Sequence, residues 1–204
     1  MNSCVKEIFG LAGSGKSTFV REHQEFATVQ LPGSIKLIVF IWAILTEMKS
    51  ITKNLWALKS PRFLRELCFI SYKLKVISTV KKHKSGAFIY DQGPLYNYVY
   101  LKTKMDPVQR EQSKAFLDDI FSRIEESLDG SIYLVCDVNT SLARVLQREK
   151  DHIYKNMDID EAITDLMNWE TEFEKISKRL SSIKIATEKA SQSVHSFNNC
   201  KMPS

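Results

Sequence analysis

The chain has 204 residues, of which 44% are apolar, 10% aromatic and 26% charged, a balance that builds one globular core of ordinary size. Seven glycines and five prolines are too few for a collagen-like or low-complexity chain, and the apolar share is too high for a disordered one. Lysine and arginine outnumber aspartate and glutamate by 29 to 24, a formal net charge of +5, which suits an anionic partner without naming one.

In chain order, Met1 to Gly10 holds no apolar run of signal-peptide length, so a cytoplasmic protein is expected. Val5 to Phe9 is a short β-type run that ends in a glycine-rich turn, Gly10 to Gly15. A helix follows from Lys16 to about His23. A second β-type run, Phe26 to Leu31, stops at the turn Pro32-Gly33-Ser34. Ile35 to Lys84 is rich in leucine, lysine and aromatic residues and reads as two or three helices with a break around Ser60-Pro61. Its apolar run Leu37 to Leu45 has nine residues, far short of the ~20 that span a bilayer, so no membrane contact is expected.

Ala87 to Tyr90 is a wholly apolar run ending in Asp91-Gln92-Gly93-Pro94, the pattern of a central parallel strand covered on both faces. Helices to about Tyr100 and from Pro107 to Leu128 follow, with Asp129-Gly130 as the stop. Ser131 to Cys136 is another buried-strand run. Asn139-Thr140-Ser141 are candidate caps for a helix from Leu142 to about Lys150, and Asp137 itself reads as a cap or turn residue. Residues 149–156 are polar and irregular, a candidate lid. Asp158 to Leu180 repeats apolar residues at helical spacing, Ser182 to Ala186 is a fifth strand, and Ser191 to Cys200 a terminal helix. Five short strands alternating with helices predict a single three-layer α/β domain over residues 1–204, with a mainly parallel five-stranded sheet and helices on both faces. Ligands of such sheets bind beyond the carboxyl ends of the strands.

The chemistry-bearing motif lies at the first of those ends. Gly10-Leu11-Ala12-Gly13-Ser14-Gly15-Lys16-Ser17, followed by Thr18, matches Gly-x-x-x-x-Gly-Lys-Ser/Thr in full. Glycines at these positions let the backbone curl so that its N–H groups converge on a phosphate, with the next helix adding its dipole. The candidate nucleotide-binding set is therefore Gly10, Ala12, Gly13, Ser14, Gly15, Lys16, Ser17 and Thr18. Lys16 is placed to neutralise the β- and γ-phosphates, and Ser17 offers a hydroxyl to Mg²⁺. Asp91 is the second candidate magnesium group, holding a metal-bound water or polarising an attacking hydroxyl. A capping role before Gly93-Pro94 is its other reading. Arg144 and Arg148, four apart on one helix, form either a clamp on the transferring phosphate or a solvated face. Arg62 and Arg65 stand either as receivers of a second anionic substrate or as plain surface arginines.

Taken together, these segments resemble the P-loop nucleotide kinase family, and within it the thymidylate kinase-like branch. The resemblance rests on Gly10 to Thr18 (GLAGSGKST), Val29 to Ser34 (VQLPGS), Phe88 to Pro94 (FIYDQGP) and Ser141 to Glu149 (SLARVLQRE) with the polar stretch after it. It implies the P-loop NTPase fold, ATP and Mg²⁺ as cofactors, and transfer of a γ-phosphoryl group to a small acceptor, a nucleotide or nucleoside first. Lys16, Asp91, Arg144 and Arg148 are then the catalytic set, the helices of residues 34–84 face the acceptor and residues 149–156 close as the lid. The branch carries Asp-Arg where this chain has Asp91-Gln92, and Arg-Glu-Pro-Gly-Gly where it has Gln30 to Ser34. Both changes remove charge that would bind a nucleoside monophosphate, which counts against thymidylate itself. The second reading is a nucleotide-binding regulatory ATPase or switch with no small acceptor. ATP is expected over GTP because no Asn-Lys-x-Asp motif follows a strand. No RNA-binding motif accompanies the basic excess, so nucleic acid is not the expected partner, and a homodimer is compatible with the chain.

Overall fold

The computed structural model of the chain describes residues 3–29, 40–42, 45, 61–149 and 151–187. Its centre is β1 (Ser3–Gly10), a strand buried along nearly its whole second half. β1 pairs in parallel with β3 (Gly86–Asp91) on one side and β4 (Gly130–Val135) on the other. β2 (Ala27–Thr28) and β5 (Ile183–Ala186) complete a five-stranded parallel sheet in the order β2-β3-β1-β4-β5. Alternation sends Ile8, Ile89, Ile132, Leu134 and Ile185 to one face, where Phe19 of α1 (Lys16–Glu22) packs. Phe9 and Tyr133 point to the other, under α2 (Pro61–His83), α3 (Pro94–Lys104), α5 (Lys114–Ser127) and α7 (Ile159–Arg179). Among the described residues no helix is long and apolar enough to cross a membrane.

Helix starts follow local chemistry. α4 (Pro107–Gln112) opens with a reciprocal cap in which Asp106 accepts from the Gln109 N–H and Gln109 returns a bond to the Asp106 N–H. α6 (Val138–Leu146) starts four residues before the expected Leu142, because Asp137 Oδ1 accepts from the Thr140 N–H at 2.9 Å and draws Asn139 to Ser141 into the first turn. α7 is capped by Asp158, carries Asp160 and Glu161 in its first turn and Lys178 and Arg179 in its last, all of which suit the helix dipole.

Two further expectations change. The single helix from Pro107 to Leu128 is two helices divided at Ser113. α4 buries nothing, whereas α5 buries Leu117, Ile120, Phe121 and Ile124, so the pieces follow different lines. Of the strand expected over Phe26 to Leu31, the described part pairs with β3 at Ala27 and Thr28, both exposed at the sheet's edge, and residues 30 and 31 lie outside the described residues. α2 begins at Pro61, the break the sequence marks, and the remainder of the helices expected over 34–84 falls largely outside the described residues. The helix expected from Ser191 to Cys200 lies outside them entirely.

The core joins sheet to helices through aromatic rings. Phe9 stacks on Tyr133 at 5.2 Å, and Phe173 of α7 lies 5.4 Å from Phe9 and 6.1 Å from Tyr133. Phe173 is fully buried, so Phe173→Ala is expected to lower stability by about 3–5 kcal/mol in urea unfolding. A loss under about 1 kcal/mol would mean that α7 is not held to the sheet by this ring.

Candidate functional site

Residues 11–15 join β1 to α1 at the carboxyl edge of the sheet. Gly13 has φ 88°, the left-handed region, and a side chain there would run into the backbone of Ser141, so both conformation and space demand glycine. Ser141 Oγ also donates to Ala12 O, tying the loop to the first turn of α6. Gly15 precedes α1 with no side-chain cap, and the first N–H groups of that helix are left for a ligand. Ser14 is fully buried beneath the curl, while Ser17 and Thr18 are exposed.

Lys16 is folded into its own loop. Its Nζ donates to Gly10 O at 2.8 Å, Leu11 O at 2.7 Å and Ser14 Oγ at 3.5 Å, and the residue is only 7% exposed. Burial lowers its ammonium to about 8, helped by Arg148 and opposed by Asp91. Asp91 ends β3 directly across from α1, where Ser17 Oγ donates to its Oδ2 at 3.5 Å. Its Oδ1 is buried without a hydrogen-bond partner among the described residues.

Two cavities meet at this loop. The larger, about 540 Å³, is lined by Gly15, Thr18, Glu22, Arg144, Arg148 and Thr187. The smaller, about 210 Å³, is lined by Lys16, Ser17, Gln92, Tyr96, Arg148 and His152. Arg148 lines both, whereas Arg144 lines only the larger, with Nη1 3.5 Å from Gly13 O and 3.6 Å from Cys136 Sγ. Asp137 is the α6 cap, held below the ordinary carboxylate range chiefly by the Thr140 N–H. Arg65 does not face the cavities: its Nε and Nη2 both donate to Glu66 Oε1, at 3.0 and 2.8 Å.

The stretch expected to be irregular contains a 3-10 turn over Ile153–Asn156. Tyr154 is buried, and its Oη donates to Asp165 Oδ2 at 3.0 Å, while Lys104 Nζ pairs with Asp165 Oδ1 at 2.5 Å. The polar segment is thus pinned at its middle, and Asp151 and His152 are presented to the smaller cavity. His152 Nδ1 accepts from the Tyr154 N–H at 3.3 Å, and burial, then Arg148, lowers its ring below the ordinary histidine value.

Sequence reasoning misses the groups behind Asp91. Glu7 lies in the middle of β1 at 0% exposure and accepts from the N–H groups of Leu95 and Tyr96 at 3.0 and 3.2 Å. The N-cap of α3 is Gly93, which has no side chain to offer, and the first-turn N–H groups are taken by Glu7 and not by Asp91. Gly93 lies so close that a Cβ would stand 2.5 Å from the Glu7 carboxyl. Lys73 of α2 donates to Gln92 O, to Gly93 O at 3.2 Å and to Asn97 Oδ1 at 2.5 Å. The one available signal is a glutamate inside the otherwise apolar second half of β1.

Burial raises the Glu7 carboxyl above the ordinary glutamate value, against the two N–H groups and Lys73. Because its folded value lies above its unfolded one, its contribution to stability is complete below about pH 4.5 and is lost as pH rises. Urea unfolding from about pH 5 to about pH 8 is expected to favour Glu7→Gln progressively over the wild type. Parallel pH profiles for the two proteins would contradict this.

No family model matches the sequence, and no curated protein does. Solved structures do match. A deoxyadenosine kinase from M. mycoides with bound dATP aligns at a TM-score of 0.56 with 17% identity, over 90% of this chain and 91% of that one. The same enzyme with the products dCMP and a flexible dCDP gives 0.56 and 18% over the same shares. With bound dCTP it gives 0.53 and 16%, over 92% and 91%. The five-stranded parallel sheet with helices on both sides is the P-loop kinase fold of these neighbours.

Proposed function

We propose that the chain is an ATP- and Mg²⁺-dependent phosphotransferase that moves the γ-phosphoryl group to a small acceptor, a nucleoside or nucleotide first. The observation that carries this reading is the glycine loop with Lys16 at its heart, facing the unpartnered Asp91 Oδ1 across Ser17. The likeness to a deoxyadenosine kinase, in one structure with dATP bound, supports it at the level of fold. The order of the four motif segments supports the thymidylate kinase-like branch, with Asp91-Gln92 directing the acceptor away from thymidylate. One domain in a cytoplasmic setting goes with the same reading, and the buried thiol of Cys136 fits reducing surroundings.

The loop N–H groups and those of the first turn of α1 bind the phosphates, with Gly10, Ala12, Gly13, Ser14, Gly15 and Thr18 shaping the cradle. Among the described residues no cluster of three or more metal-ligating side chains exists. Mg²⁺ needs none, since it binds phosphates and waters with one or two protein oxygens, and Ser17 Oγ and Asp91 Oδ1 are the fitting pair. Bound there, the ion supplies charge neutralisation at the β,γ-phosphates. Lys16 leaves the carbonyls of Gly10 and Leu11 to meet the same oxygens. Arg148, at the seam of the two cavities, steadies the transferring group, and Arg144 holds the donor side. An acceptor hydroxyl in the smaller cavity attacks the γ-phosphorus, the bond to the β,γ-bridging oxygen breaks with ADP leaving, and the hydroxyl proton is released to solvent.

Incubation with Mg-ATP and a panel of nucleosides, nucleoside monophosphates and sugars, with product detection, tests this reading. A phosphorylated acceptor is expected, with kcat/KM reduced about 10²-fold or more in Lys16→Ala. Hydrolysis without transfer would favour the regulatory switch, and full transfer by Lys16→Ala would overturn the assignment. Since burial lowers the Lys16 ammonium to about 8, nucleotide binding at that pH is expected to take up about half a proton as the phosphates favour its charged form. Calorimetry in two buffers of different ionisation enthalpy reads that uptake, and a proton count of zero would place Lys16 away from the phosphates.

A further inference from the structure

The corner that carries Asp91 is held in an unfavourable conformation. Gln92 has φ 54°, the left-handed region, which is sterically unfavourable for a residue with a side chain. Such a conformation persists only where its surroundings determine it more strongly than its own preference. Here the surroundings come from two distant elements. Lys73, twelve residues into α2, brings its Nζ onto the carbonyls of Gln92 and Gly93 and onto Asn97 Oδ1, a set of three acceptors that matches its three N–H donors. Glu7, from the middle of β1, takes the N–H groups of Leu95 and Tyr96 just beyond the same corner. Glu66, a buried residue of α2, accepts from Asn97 Nδ2 at 2.5 Å and fixes the amide whose oxygen Lys73 holds.

The corner's carbonyls are therefore held from α2 and the N–H groups of the following turn from β1, while Asp91 sits immediately before the strained residue. We propose that Lys73 is a positioning residue for Asp91: with Glu7 as its counterpart, it locks Gln92 in the left-handed region and so fixes the carboxylate opposite Ser17. The inference rests on the phosphotransfer reading for the use made of Asp91, and on geometry alone for the locked corner. Lys73 lines neither cavity beside the loop, and its role is exercised through the turn. Without its ammonium, two backbone carbonyls lose their donor and Gln92 is expected to relax out of φ 54°.

The test compares the wild-type chain with Lys73→Met, with Lys73→Met/Gln92→Gly, and with Lys75→Met as a control for loss of a cation from α2. Crystal structures give the conformation of residue 92 and the Asp91 carboxylate position. Titration with a fluorescent ATP analogue, in EDTA and with Mg²⁺, gives the gain in affinity due to the metal. In Lys73→Met the corner is expected to relax and the metal-dependent gain to fall about tenfold or more, as for loss of a group that orients a metal ligand. Metal-free affinity is expected to stay within about twofold, because the glycine loop is untouched. Glycine enters the left-handed region freely, so the double variant is expected to regain both the corner and the gain. It also serves as the folded comparator if Lys73→Met alone is unstable.

A corner unchanged in Lys73→Met overturns the inference whatever the protein binds. So does a moved corner with an unchanged metal-dependent gain, or a double variant that regains neither property. A wild type that binds no nucleotide overturns the phosphotransfer reading instead, and the corner's geometry in Lys73→Met still decides whether Lys73 holds it.

Discussion

Gly13 and Ser141 approach so closely that no side chain fits between them, and Ser141 Oγ closes the contact with a hydrogen bond to Ala12 O. This backbone-to-backbone packing joins the loop after β1 to the helix after β4, and the rest of the site inherits its geometry from it. Because the loop is pressed against α6, Arg144 and Arg148 lie along its rim, and the two cavities share Arg148 as a common wall. Because β3 runs beside β1 in register, Ile8 opposite Asp91, the carboxylate emerges beside Ser17. Three adjacent parallel strands thus deliver a cradle, a carboxylate and a guanidinium to one edge, the place where parallel sheets bind ligands.

The basic excess of the chain has a partial address there. Lys16 is buried among carbonyls, with Arg148 near enough to disfavour its charge and Asp91 near enough to favour it. Under the phosphotransfer reading, phosphate oxygens at this loop would relieve both the desolvation and the repulsion of the Lys16 charge. Arg65, a candidate for a second anion, is occupied by Glu66, and the buried Glu66 in turn bonds the Asn97 side chain that Lys73 also holds. The Asp91 corner is held from behind by polar contacts to Glu7, Glu66 and Lys73, whereas the glycine loop is shaped by backbone curvature.

The sheet and the loop were legible in the sequence because their signals are local. Short apolar runs bounded by turns locate β1, β3, β4 and β5 to within a residue or two, and the spacing of Gly10, Gly13 and Gly15 before Lys16 specifies the curl. Helix boundaries were less legible where a single side chain decides them: Asp137 moves the start of α6, and the division at Ser113 depends on which residues find the core. The anchoring of the polar segment by Tyr154 was hidden, since it needs Asp165 from α7 and Lys104 from α3. Glu7 and Lys73 were hidden for the same reason. Their partners are 88 and 89 residues away for Glu7 and 19 to 24 residues away for Lys73, and a carboxylate in a strand or a lysine in a helix carries no local mark of such use.

On the proposed reading the loop after β1 takes a nucleotide's phosphates, with Lys16 moving onto them and Asp91 beside the metal. A crystal structure of the chain with Mg²⁺ and a non-hydrolysable ATP analogue tests it most directly. The account predicts phosphates within the loop Gly10 to Gly15, Lys16 Nζ transferred from the carbonyls of Gly10 and Leu11 to phosphate oxygens, and the metal between Ser17 and Asp91. An analogue bound elsewhere, or a Lys16 still held by those carbonyls with the nucleotide in place, would contradict it.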